Sequence, residues 1–199
     1  MEAFDIAEAH AAVAALRLNG ANAELAARWL SLWRDGKPPT LARFDTHPIP
    51  AHVPAMAVFE IKEGVSLQCI RAGEYCRLAI GFDLTGQSVL SITNNVDRDA
   101  RLAWCWKIVE GAATVSYRGF KPAQGAIVYA QGMSLPFGDD EPDGTRRFFM
   151  HNNWRPQAAD WGEGSVNGDL QTPPQRAMKF FAPRVAEEVV LASTGTDLF

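Results

Sequence analysis

VSLQCIRAGEYCRLAIGFDLTGQSVLSI, residues 65–92, is the stretch whose patterning decides the fold. Its opening residues, 65–70, alternate apolar and polar, the period-two signature of a strand with one buried face, before Ala72-Gly73 breaks the run. Residues 74–80 then have the makings of a short helix. A turn bounded by Gly81 and Gly86 follows, and a second apolar run covers 89–92. Glycines at such places supply backbone conformations that other residues adopt only with strain. Just upstream, residues 57–62 form a further strand-like run, and Glu63-Gly64 between the two runs has the chemistry of a two-residue hairpin.

Downstream, residues 97–110 predict a longer helix, with Asp97 as its cap, Asp99 at its positive end and Gly111 to close it. Its apolar stripe is Leu102, Cys105, Trp106 and Val109, with Ala103 alongside. Three strand-like runs come next, at 113–120, 126–135 and 145–154, the last two parted by an acidic, turn-rich loop over 138–144. Upstream of the deciding stretch, an Ala-rich helix is expected over 4–18, ended by Asn19-Gly20. Asn22 is expected to cap a second helix carrying Leu25, Trp29, Leu32 and Trp33 on one stripe, which Pro38-Pro39 stops. A proline-rich connector occupies 47–54. Beyond Pro156 the chain is rich in Gly, Pro and polar residues, with two short apolar runs at 177–181 and 185–191 that suit packing on the core or on a partner.

GFDLTGQSVLSI resembles the PAS-domain signature G-x-D-L-x-G-x-x-L. A second match, WRDGKPPTLARFD at 33–45, is similar to the lead-in of the single-domain bacterial PAS family labelled PAS_5. The resemblance covers residues 27–155. It implies an α+β fold: a PAS-like five-stranded antiparallel sheet with short helices on one face, preceded by N-terminal helices. Two strands, short helices, one longer helix and three strands is the order such domains show. The other α+β arrangement consistent with the pattern is a cone-shaped barrel wrapped by N-terminal helices. On the PAS reading the chain divides into an N-terminal helical extension (1–36), the PAS-like domain (37–155) and a C-terminal extension (156–199).

Composition narrows the function classes. With 199 residues, 47% hydrophobic and 21% charged, the chain suits one soluble globular domain with extensions. A net charge of −4 offers no basic face for nucleic acid. No apolar run is long enough to span a bilayer, and the Ala-rich start lacks the basic region of a signal peptide, so no membrane association and a cytoplasmic location are expected. Cys69, Cys76 and Cys105 are odd in number and lack CxxC spacing, which suggests neither a disulfide framework nor a zinc site. They suit small apolar fillers.

Sequence motifs for chemistry are sparse. Gly132-Met133-Ser134-Leu135-Pro136 lacks the closing glycine of a nucleophile elbow, and neither a Walker loop nor a dinucleotide glycine turn occurs. Asp139, Asp140, Glu141 and Asp143 do not follow EF-hand spacing. No catalytic residue and no metal ligand is assigned, and a non-catalytic protein is expected. In a PAS sheet one face lines a cavity while the other meets N-terminal helices or a second copy. The ligand-binding candidates are therefore Leu102, Trp106 and Val109 on the long helix, with Tyr117, Tyr129, Phe149 and His151 on strands. On period-two alternation Arg147, Phe149, His151 and Asn153 share one face, and Phe148, Met150, Asn152 and Trp154 the other; aromatics on both leave the inward face open. Arg118 and Arg147 are candidates to pair with an anionic ligand or to face solvent.

Flavin photosensors of the PAS family carry a cysteine motif soon after the Gly-Asp turn, where this chain has Thr85-Gly86-Gln87-Ser88. Haem-binding members place an axial histidine on the long helix, and 97–110 contains none. The resemblance thus disfavours both and leaves the cofactor unknown. It implies a sensory or regulatory module in bacterial signalling that binds a small metabolite, a signalling partner or both, with output from another protein. A homodimer through the N-terminal helices or a sheet face is expected. The alternatives are a ligand-free dimerisation scaffold built on the sheet and the Trp29/Trp33 helix, and an enzyme pairing His151 with Asp83 as acid and base.

Overall fold

A computed structural model describes residues 6–16, 18, 20–62, 66–80, 82–91, 98–111, 113–120, 128–139, 141–155, 176–182 and 185–191. Three helices lead: α1 (Ile6–Ala15), α2 (Gly20–Ser31) and α3 (Leu41–Asp45). Strands β1 (Met56–Lys62) and β2 (Ser66–Ala72) follow, then helices α4 (Glu74–Ile80) and α5 (Arg98–Val109). Strands β3 (Ala113–Phe120), β4 (Val128–Pro136) and β5 (Arg146–Arg155) complete the order read from the sequence. The expected Glu63-Gly64 hairpin and the Asp97 cap lie outside the described residues. At the other end of α5, Gly111 takes a φ of 111° and its amide donates to the Ile108 carbonyl, so a left-handed residue does stop that helix.

The strands, which include β6 (Arg176–Ala182) and β7 (Val185–Leu191), are all antiparallel and lie in the order β2-β1-β5-β4-β3-β6-β7. The first five are the sheet expected from the sequence. The expected number falls short by two, because β6 and β7 pair onto the outer edge of β3 and widen the sheet to seven. The two late apolar runs therefore meet a strand edge, whose unpaired amides and carbonyls are a ready template for further strands.

Helices cover both faces of the sheet. On one, Leu25, Ala26, Trp29 and Leu30 of α2 and Phe44 of α3 bury against Met56, Val58, Val115, Met133, Leu135 and Phe149. Phe44 stacks on Phe149 at 5.0 Å between ring centroids, and the Trp29 indole N–H donates to the Pro136 carbonyl at 2.8 Å. On the other, Cys105, Ile108 and Val109 of α5 and Cys76 of α4 pack on Ala57, Phe59, Ile61, Leu67, Cys69, Phe148 and Met150. Strand alternation produces this split: even-numbered β5 residues face α5 and odd-numbered ones face α2.

The Gly-bounded turn has a definite mechanical task. Asp83 Oδ1 accepts from the Thr85 amide at 2.8 Å, Leu84 plugs the α5-side core, and Gly86 takes a φ of 80°. The chain then runs along the free edge of β2: the Gly86 amide donates to the Cys69 carbonyl at 2.7 Å, and the Cys69 amide donates to the Gln87 carbonyl at 3.0 Å.

Candidate functional site

Asn22 departs from its expected role as a helix cap. Helix α2 begins at Gly20, with φ 41°, and Asn22 sits inside it with no exposed surface. It occupies the same stripe as Leu25, Ala26 and Trp29, at the i, i+3, i+4 and i+7 spacing that turns one helical face to the sheet. Its amide nitrogen donates to the Gln131 backbone carbonyl at 2.7 Å and to Gln131 Oε1 at 3.1 Å. Two acceptors on that nitrogen orient the amide oxygen toward His151, so His151 Nδ1–H donates to Asn22 Oδ1, at 2.6 Å. One helical side chain thereby ties α2 to both β4 and β5.

His52, in the turn ahead of β1, lies beside this network. Its ring meets the His151 ring edge-on at 5.5 Å, and its Nε2 and Glu24 Oε2 on α2 are 2.8 Å apart. His151 itself is 2% exposed. Burial, and secondarily the neighbouring His52, push its pKa down to about 4, so the imidazole is neutral at pH 7. Protonation here would place a charge in an apolar setting, between Met56 and Met133 across the ladder.

The opposite face has a different character under α5. Thr114 pairs with Ser134 across β3 and β4, Ser134 with Met150 across β4 and β5, and Gly132 with Asn152. Alternation turns these residues toward α5, because Val115, Met133 and Phe149 face the other way. Thr114, Ser134 and Asn152 are all at least 98% buried. The middle of the sheet thus presents two hydroxyls, a carboxamide and a glycine beneath a helix bearing Trp104 and Trp106, while Phe148 and Ile108 fill the flank in ordinary apolar fashion.

The sequence candidates are divided by the sheet. Leu102, Trp106 and Val109 lie on the α5 side. Phe149 and His151 lie on the α2 side, Phe149 under Phe44 and His151 under Asn22. These two sets do not line one pocket. Tyr117 and Tyr129 hold strand positions, opposite Gln131 and Gly119, but their side chains and that of Arg118 lie outside what the structure describes. His151 and Asp83 are likewise separated, since Asp83 is exposed in the turn before Leu84, on the α5 side. Arg147 is engaged within the chain, 2.9 Å from both Glu60 and Glu141. Trp29 and Trp33, whose helix carried dimerisation in the alternative scaffold reading, are buried on this chain's own sheet.

Cys69, Cys76 and Cys105 are buried, and burial pushes the Cys69 pKa up to about 12, far from a reactive thiolate. Among the described residues no group of three or more His, Cys, Asp or Glu is placed to hold a metal ion, and no helix is long and apolar enough to cross a membrane. Asn22, read from the sequence as a helix cap, was not among the candidate site residues, and neither were Gln131, His52 and the Thr114–Ser134–Asn152 floor. The available signal was Asn22 sharing a stripe with Leu25 and Trp29, where a polar residue has to find buried partners. Compared with known proteins, the chain matches no family model, no curated sequence and no solved structure at a significant level.

Proposed function

We propose that this protein is a non-catalytic, PAS-like sensory module of bacterial signalling that takes a small molecule between the middle of its sheet and α5. The observation that carries the proposal is the polar floor of Thr114, Ser134 and Asn152 around Gly132 on the three central strands, under an aromatic helix. Hydroxyls and an amide add little apolar area to a core, and here they gather on one face of the three central strands. Small side chains on β4 with a few hydrogen-bonding groups and indoles nearby are the composition of a small-molecule site. The order of elements, two strands, helices, then three strands, and the N-terminal helices on the far face support the same reading.

Native mass spectrometry of protein purified from cells tests it. A retained adduct that is lost on denaturation, and is absent from a Ser134→Leu variant that remains folded, is the expected result. A bare mass for the wild-type chain, with no change in Tm across a panel of small metabolites, would overturn the proposal.

A further inference from the structure

We propose that the buried contact between His151 and Asn22 is a proton-operated latch: it holds α2 on the sheet while the imidazole is neutral and releases the helix when the ring takes a second proton. The inference is independent of any ligand under α5, because the latch lies on the other face of the sheet.

The geometry makes the contact a joint between elements. Asn22 is the α2 side chain that reaches both central strands, through Gln131 on β4 and His151 on β5. The neutral ring with its proton on Nδ1 satisfies Asn22 Oδ1, and the Asn22 amide satisfies Gln131, so the joint is complete without any charge. A second proton on Nε2 changes that balance. The imidazolium would be enclosed by Asn22 from α2, Met56 from β1, and Gln131 and Met133 from β4, all uncharged. The titratable group facing it is His52, whose own charge would oppose it. Glu24, the nearby carboxylate of α2, contacts His52 and not His151. A charge on His151 is therefore uncompensated in place, and exposing it to water requires α2 or the His52 turn to leave the sheet.

Protonation also favours the open arrangement by a definite factor. With the ring held to about 4 when closed, and at its ordinary 6.5 when open, the opening equilibrium grows about thirtyfold between pH 8 and pH 5. An opening that size, confined to one helix, converts acidification into exposure of the apolar stripe of α2 while the sheet stays folded.

Hydrogen exchange of the whole chain, corrected for intrinsic chemical exchange, tests the latch. The expected result is that α2 amides have lower protection factors than those of β1 and β5 at both pH values and lose about thirtyfold in protection between pH 8 and pH 5. In His151→Gln, which keeps a donor without titrating, the α2 response should be flat. Equal protection factors in α2 and the sheet at both pH values would overturn the proposal, since α2 would then leave only with global unfolding. A wild-type-like α2 response in His151→Gln would overturn it too. Should that variant fail to fold, Asn22→Asp decides: a carboxylate against Nδ1 compensates the imidazolium, so acid should no longer loosen α2, and an unchanged acid response would sink the latch.

Discussion

Replacing Asn22 with alanine probes the joint between helix and sheet with little else changed. The substitution removes two donated hydrogen bonds, to the carbonyl and Oε1 of Gln131, and one accepted from His151. Each neutral bond contributes about 1 kcal/mol net, so the loss of three sums to about 3 kcal/mol. Alanine recovers roughly half a kcal/mol of helix propensity in the interior of α2. The net destabilisation expected is thus about 2.5 kcal/mol, or about 5–10 °C in Tm for a chain of this size. Urea unfolding followed by circular dichroism at pH 8 measures it, with Glu24→Ala as the exposed control on the same helix, expected to change stability by under about 0.5 kcal/mol. A loss below about 1 kcal/mol for Asn22→Ala would mean that water or neighbouring groups replace the lost partners, and that the network does not hold α2 as described.

Other expectations follow from the same geometry. His151 binds a proton more weakly folded than unfolded, so its contribution to stability is complete above pH 6.5 and is lost as pH falls toward 4. Between pH 7.5 and pH 5 the wild-type chain should lose about 2 kcal/mol more than His151→Gln in urea titrations; parallel curves would refute this. Gly73→Ala puts a methyl carbon 2.3 Å from the Pro54 carbonyl oxygen and 2.4 Å from that of Val53, both backbone atoms that cannot swing aside. A destabilisation of about 1–3 kcal/mol should appear as a lower urea midpoint, and an unchanged midpoint would contradict the close approach.

The sequence carried the order of elements well and the number of strands less well. Residues 65–92 signalled a strand, a helix and a glycine turn through period and breakers alone, because those signals are local. The pairing of β6 with β3 depends on an edge 60 or more residues earlier in the chain, since Ala177 lies opposite Tyr117 and Phe181 opposite Ala113, and no local pattern encodes it. Asn22 illustrates a further limit. Near the start of a helix an asparagine satisfies the rule for a cap, and what redirects it inward is the proximity of Gln131, 109 residues away. The ligand candidates chosen for aromaticity fell on both faces of the sheet, because alternation fixes which residues share a face but not which face meets which helix. Thr114, Ser134 and Asn152 passed as ordinary strand residues for the same reason.

The clamp that residues 86–88 place along the outer edge of β2 makes the sheet lopsided in its capacity to grow. One border is sealed by the turn that follows α4, so lateral recruitment of another strand is confined to the far side. There β6 and β7 already stand as the outermost pair. A chain cut before Arg176 would bare the rim of β3 and give it a single adhesive border, the geometry of end-capped pairs of molecules and not of open-ended fibres.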